Sequence, residues 1–184
     1  MRLLKALCKN NMIQLRLTQK VQKSAGVKPS KLHEPTESES VFGDWVVNAF
    51  NDDRRKHLVF VNERTLHSFV LTCVRKEHYK NIKNSFLVGL IQLLELDGFS
   101  PRDIQHLMLG YTEMQFTKTH SRKVLGNVND RVNHYRYGIY DNGGIANADI
   151  GKITHNVNRM PQRNIDWDFS IKAVADIAKN ASQR

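Results

Sequence analysis

The residues best suited to chemistry in this 184-residue chain gather between Gln115 and Asp130. Lys118, His120, Ser121, Arg122 and Lys123 fall together where a strand reads as turning directly into a helix, with Val124, Leu125 and Val128 following at helical spacing. A helix start offers unpaired backbone N–H groups and the positive end of the macrodipole, so hydroxyl and cationic side chains there suit an anion. Residues 116–136 hold five Lys/Arg against one acid, Asp130, and Tyr135 is near enough in sequence to stack on a base. The chemistry implied is salt-dependent pairing of Lys118, Arg122 and Lys123 with phosphate oxygens. The plainer alternative is a solvated helix start with Thr119 or Ser121 as N-cap. Arg54, Arg55 and Lys56 form a second basic cluster. It joins the first in one anion site if strand order allows, and otherwise pairs with Asp52 and Asp53. No helix-turn-helix, zinc-finger or RNA-recognition signature accompanies either cluster.

Acid–base chemistry has thinner support. Glu63 with His67, and Asp130 with His134, stand four residues apart, a spacing at which carboxylate and imidazole meet on a helix. His120 and Ser121 are adjacent, but no nucleophile elbow surrounds the serine. Gly143-Gly144 lacks the lysine and the preceding strand of a phosphate loop. Arg102 and His106 have three residues between them, one short of the spacing associated with helical ribonuclease toxins. The eight histidines form no ligand spacing with Cys, Asp or Glu, so neither metal nor cofactor is expected.

Composition narrows the field further. The net charge of +10 resides in one region: residues 1–31 carry eight Lys/Arg and no acid, leaving 20 basic and 18 acidic residues in the other 153. A wholly basic surface is therefore not implied. Between residues 32 and 53 there are six acids and no Lys or Arg, an acidic tract that can lie against the basic amino terminus. Two cysteines, Cys8 and Cys73, rule out a disulfide framework, and Cys73 in its apolar run reads as a small core residue. No apolar run is long enough to cross a membrane, and the start lacks a signal peptide, so a cytoplasmic protein with no membrane partner is expected.

The elements that must position these residues follow from periodicity. Ile13, Leu15 and Leu17 alternate with Gln14, Arg16 and Thr18 as in a half-buried strand, and Thr18 can cap a short helix ending at Gly26. Residues 27–40 read as a loop. Phe42, Trp45, Val46, Ala49 and Phe50 repeat at helical spacing, with Trp45 as a core anchor. Residues 57–61 and 68–74 read as an antiparallel hairpin. Helices are expected over 77–97 and 101–110, the second with Ser100 as N-cap and Pro101 at the first helical position. A strand carries Met114 and Phe116. The basic helix then runs towards Tyr140, and two more helices follow, over 146–160 and from Asp168 or Ser170 onward. The fold class predicted is α+β: a mainly antiparallel sheet of about four strands against five or six helices. Residues 1–11 are expected to be an extension outside the fold, and residues 12–184 a single domain.

Several segments carry a family resemblance. They are Leu15-Arg-Leu-Thr-Gln-Lys20, Trp45 ahead of Arg54-Arg-Lys56, Phe60-Val-Asn-Glu63 with Thr65 and Ser68-Phe69, and Phe116-Thr-Lys-Thr-His-Ser-Arg-Lys-Val-Leu-Gly-Asn-Val-Asn-Asp130. Together they resemble a family of small bacterial proteins defined only as a domain of unknown function. The resemblance spans residues 12–136 and implies a bacterial cytoplasmic origin. It brings no activity, cofactor or catalytic residue.

Three function classes follow. The first is a protein that binds an anionic partner, nucleic acid or phosphate, through the basic helix start. The second is an enzyme on a phosphate-containing substrate using Glu63, His67, His120 or His134. The third is a protein-interaction module. Oligomeric state is open.

Overall fold

The computed structural model describes residues 12–182 other than 39, 112 and 120. The extension expected at residues 1–11 and the site candidate His120 therefore lie outside the described residues. Along the chain run β1 (Met12–Leu17), α1 (Gln19–Ala25), β2 (Trp45–Asp52), β3 (Arg55–Asn62), β4 (Ser68–Leu71), α2 (Lys76–Lys80), α3 (Ile82–Leu96), α4 (Pro101–Leu107), β5 (Glu113–Lys118), α5 (Arg122–Asp141), α6 (Ile150–Asn158), the two-residue strands β6 (Pro161–Gln162) and β7 (Asp168–Phe169), and α7 (Ser170–Ser182).

The fold is α+β, with a five-stranded sheet in the order β4-β3-β2-β1-β5. Strand β1 is parallel to both neighbours, β2 and β5, whereas β2–β3 and β3–β4 are antiparallel. The sheet is thus mixed, not mainly antiparallel, and has five strands where about four were expected. Seven α-helices stand among the described residues, against the expected five or six. One cause is that the helix read over 77–97 is two, α2 and α3, broken at Asn81, whose backbone (φ −110°, ψ 27°) is not helical.

The helix read around Trp45–Phe50 is the central part of β2. Val46 and Phe50 enter one core while Trp45, Val47 and Ala49 enter the other. A strand buried on both faces loses its alternation, and its apolar positions then mimic helical spacing. Trp45 is the core anchor expected. Its Nε1 donates to Tyr111 Oη at 2.9 Å, and Tyr111 in turn donates to the Gly43 carbonyl at 3.0 Å. Cys73 corrects another expectation: it is exposed, in a left-handed conformation (φ 53°) past the end of β4.

Helices cover both faces. On one, Val21 of α1, Phe86 and Leu90 of α3, Leu107 of α4 and Val174 of α7 pack on Leu15, Trp45, Phe60 and Phe69. On the other, Val128, Val132, Tyr135 and Ile139 of α5 and Ile153 and Val157 of α6 pack on Val46, Phe50, Val59 and Val61. Among the described residues, no helix is long and apolar enough to cross a membrane.

Candidate functional site

Strands β1 and β5 end side by side, Leu17 opposite Lys118 in register. Helix α1 follows β1 and buries Val21 in one core; α5 follows β5 and buries Val128 in the other. Two connections that leave adjacent parallel strands for opposite faces open a crevice outside the strands' carboxyl ends, the place where open α/β sheets bind ligands. Lys118 at the end of β5 and Ser121–Lys123 at the start of α5 stand at this end of the sheet. Ser121 is the N-cap of α5, its Oγ accepting from the Val124 amide at 3.3 Å, so it takes the cap role for which Thr119 was the alternative. Arg122 and Lys123 are exposed in the first turn of this 20-residue helix, and Lys20 is exposed in the first turn of α1. Lys118 is already engaged in an ion pair with Glu34. Glu34 is held there because His33 forms a parallel bridge to Thr117 along the outer edge of β5.

Arg54, Arg55 and Lys56 do not join this group. Strand β2 continues from Val47, the partner of Leu17, to Asp52 before it turns, so the cluster stands at the tip of the β2–β3 hairpin. All three side chains are exposed. Arg55 lies opposite Asp52 in the ladder, yet among the described residues no ion pair links the cluster to Asp52 or Asp53. Tyr135, the stacking candidate, is fully buried with its hydroxyl 3.1 Å from Ser68 Oγ. The aromatics that α5 exposes are Tyr137 and Tyr140.

A second polar centre lies at the opposite end of β2. Gln14, Arg16 and Thr18 read as the solvent side of β1, but all three are buried. Arg16 Nη2 donates to Asp44 Oδ2 at 3.0 Å and Arg16 Nε lies 3.2 Å from Glu63 Oε1. Asp44 also accepts from the Gln14 amide and from Gln14 Nε2, and Pro35–Ser38 lie beside the group, with the Thr36 carbonyl accepting from Gln14 Nε2. These residues wall an open cleft of about 560 Å³ in which two guanidinium groups, Arg16 and Arg64, face three carboxylates, Glu37, Asp44 and Glu63. Burial pushes the Glu63 carboxyl above its ordinary range, opposed by Arg16 and reinforced by Asp44. A carboxyl so placed takes up a proton more readily than a solvated one.

Of the two acid–base pairs read from the sequence, Asp130 and His134 do share one helix at the four-residue spacing, where Asp130 pulls the His134 pKa up, whereas Glu63 and His67 are not a pair in the fold. Glu63 and His67 flank the turn between β3 and β4 and face different surroundings. His67 Nε2 lies 3.1 Å from Asp97 Oδ2, whose other oxygen accepts from Arg159 at 2.9 Å. Burial holds the His67 imidazole well below its ordinary value, against the pull of Asp97. His134 shares α5 with Asp130; its pKa is lowered first by burial and then by Arg131. Glu63 is thus held by Arg16 and His67 by Asp97, and the two do not work as one pair. Among the described residues no group of three or more His, Cys, Asp or Glu is placed to hold a metal ion.

Arg16, Asp44 and Gln14 were not among the sequence candidates. Arg16 occupies the polar position of a period-2 strand, a pattern that signals solvent unless a loop covers that face. The family model described as a domain of unknown function (DUF6933) matches residues 14–173. A comparison with curated proteins finds no match.

Proposed function

The chain belongs to the DUF6933 family, and we propose that it holds a phosphate-bearing partner, nucleic acid above all, in the crevice at the ends of β1 and β5. The observation that carries this reading is the divergence of α1 and α5 from the paired residues Leu17 and Lys118, with Arg122 and Lys123 exposed at the start of α5. Backbone N–H groups of the first α5 turn and the helix macrodipole add to those cations. The test is titration of the protein with inorganic pyrophosphate and with nucleic acid. Lys118→Ala/Arg122→Ala/Lys123→Ala is expected to weaken both and to flatten the salt dependence. Parent-like binding by the triple variant at every salt concentration would remove the assignment.

The alternative reading is an enzyme on a phosphate-containing substrate, with Glu63 as the acid–base group. It is favoured by the raised pKa of Glu63 in an open cleft, and disfavoured by the separate partners of Glu63 and His67. Glu63→Gln, which keeps the shape of the side chain, distinguishes the two readings: a binding protein retains pyrophosphate affinity in this variant.

A further inference from the structure

The crevice is one end of a longer feature. On α5, Arg122, Gly126, Asn129, Asn133, Arg136 and Tyr140 recur at steps of three and four residues, which keeps them on one stripe about 27 Å long. Asn129 in the middle of the stripe accepts from Asn48 of β2 at 3.0 Å. At its far end Asn133, Arg136, Tyr137 and Tyr140 line a cleft of about 370 Å³ whose other wall is Asn51 and Asp52 at the end of β2. The basic hairpin tip, Arg54, Arg55 and Lys56, follows directly.

Two features of this cleft call for a ligand. Tyr137 and Tyr140 are 66% and 77% exposed, so two aromatic faces stand in water beside it. Asp52 Oδ2 is buried in the wall and, among the described residues, accepts no hydrogen bond, which costs free energy until a donor arrives. Asp53 and Arg54 are the two loop residues of the β2–β3 hairpin, whose left-handed conformations (φ 41° and 64°) are those of the usual tight hairpin turn, and this turn presents the cations. Four cations, Arg54, Arg55, Lys56 and Arg136, stand against the carboxylates of Asp52, Asp53 and Asp141.

We propose that this cleft is a base-stacking site for single-stranded nucleic acid. The strand enters at the crevice, follows the α5 stripe and stacks a base on Tyr137 or Tyr140. Asp52 accepts from the exocyclic amine of that base, while Arg136 and the hairpin tip take phosphates. Aromatic platforms set in a cationic track are the usual means of holding unpaired bases, and the stripe suits about four or more nucleotides. The amine contact favours adenine, cytosine or guanine over uracil, which has no amino group. The polarity of the strand assignment rests on the crevice reading, whereas the stacking site stands on its own residues.

The test uses the full chain and fluorescein-labelled oligoadenylate and oligouridylate of about 12 nucleotides, read by fluorescence anisotropy, with inorganic pyrophosphate titrated in parallel. Oligoadenylate is expected to bind more tightly than oligouridylate. Tyr137→Ala/Tyr140→Ala should weaken oligoadenylate by about tenfold or more and leave pyrophosphate unchanged; both rings are exposed, and a thermal melt confirms that the variant folds. Asp52→Asn should narrow the difference between the two oligomers. Oligomer binding that ignores the tyrosine variant, or duplex binding as tight as single-strand binding, overturns the stacking site while leaving the crevice intact. Failure of both oligomers with pyrophosphate still bound also overturns it, and shows that the exposed tyrosines serve another partner such as a protein. Failure of pyrophosphate alone removes the crevice and not the stacking site.

Discussion

Leu17 and Lys118 are register partners at the last positions of two parallel strands, and the helices that follow them cover opposite faces of the sheet. Their neighbourhood is therefore fixed by topology and not by loop packing. What topology leaves adjustable is the charge available there, because Lys118 is held by Glu34. Glu34 is three-quarters exposed, so this ion pair contributes little to stability. Glu34→Gln should leave the melting temperature within a degree or two of the parent and tighten pyrophosphate binding by about two- to fivefold, by about 0.5–1 kcal/mol. Calorimetric titration of the variant checks this, and unchanged or weaker binding would show that Lys118 does not face the ligand.

The buried Arg16–Asp44 pair should behave in the opposite manner. Both side chains are almost fully shielded, and Asp44 accepts from Gln14 twice as well as from Arg16. Removing Asp44 leaves two Gln14 donors without their buried acceptor and Arg16 still paired with Glu63, a loss of about 1–3 kcal/mol. Asp44→Ala should therefore lower stability in urea unfolding by that amount. Arg16→Met/Asp44→Leu should recover part of the loss, because it removes both charges at once. A double variant no better than the single would place the cost in packing.

Stability should also fall on mild acidification. His57 and His67 are both buried. Burial lowers the pKa of each, with Asp52 opposing and Arg55 adding at His57, and with Asp97 opposing and Arg131 and Arg159 adding at His67. Groups whose folded pKa lies below the unfolded value of about 6.5 take up protons on unfolding. Their contribution is complete above that value and is lost as pH drops through it towards the lower folded pKa. Neither ring nitrogen of His57 has a hydrogen-bond partner, and the ring stacks on Phe50 with centroids 4.8 Å apart. His57→Leu should thus raise stability at pH 7 by about 1 kcal/mol and make the fall between pH 7.5 and 5.5 shallower. Urea midpoints at the two pH values provide the measurement, and an equally steep fall in the variant would leave His67 as the main cause.

How far the sequence disclosed these features depended on whether a residue's neighbours lay close in the chain. The caps at Ser100 and Ser121 were legible because a cap acts within three residues. The β3–β4 hairpin was legible for the same reason. The pairing of β1 with β5 joins residues about 100 apart, Leu17 with Lys118 among them, and no local pattern announces such a contact. Without it the sheet could not be recognised as mixed, nor Lys118 and Ser121–Lys123 placed beside a crevice. Tyr135 and Tyr137 show the limit on a finer scale. They differ by two positions on one helix, and only the packing of α5 on β2 and β3 determines that the first is core and the second surface.

The glycines of the helices give a test of that packing which is independent of any ligand. At Gly126, on the open stripe of α5, an added Cβ meets no atom within 4 Å. At Gly138, one side chain deeper towards α6, it would lie 2.9 Å from Ile153 Cγ2. At Gly89 in α3 it would lie 2.5 Å from Phe69 Cε2. Phe69 cannot readily move aside, since it is stacked on Phe60 with ring centroids 4.8 Å apart and touches Trp45 and Phe86. Alanine is favoured over glycine within a helix by about 1 kcal/mol, so Gly126→Ala should stabilise by close to that amount. At Gly138 the same gain is set against overpacking of about 1–3 kcal/mol, and the outcome should be a modest loss. At Gly89 the contact is closer and the neighbour more rigid, so the loss should be the largest of the three. Urea unfolding of the three alanine variants is therefore expected to rank Gly126→Ala above the parent, and the parent above Gly138→Ala and then Gly89→Ala. A Gly89→Ala variant as stable as Gly126→Ala would mean that α3 does not press against β4 as described.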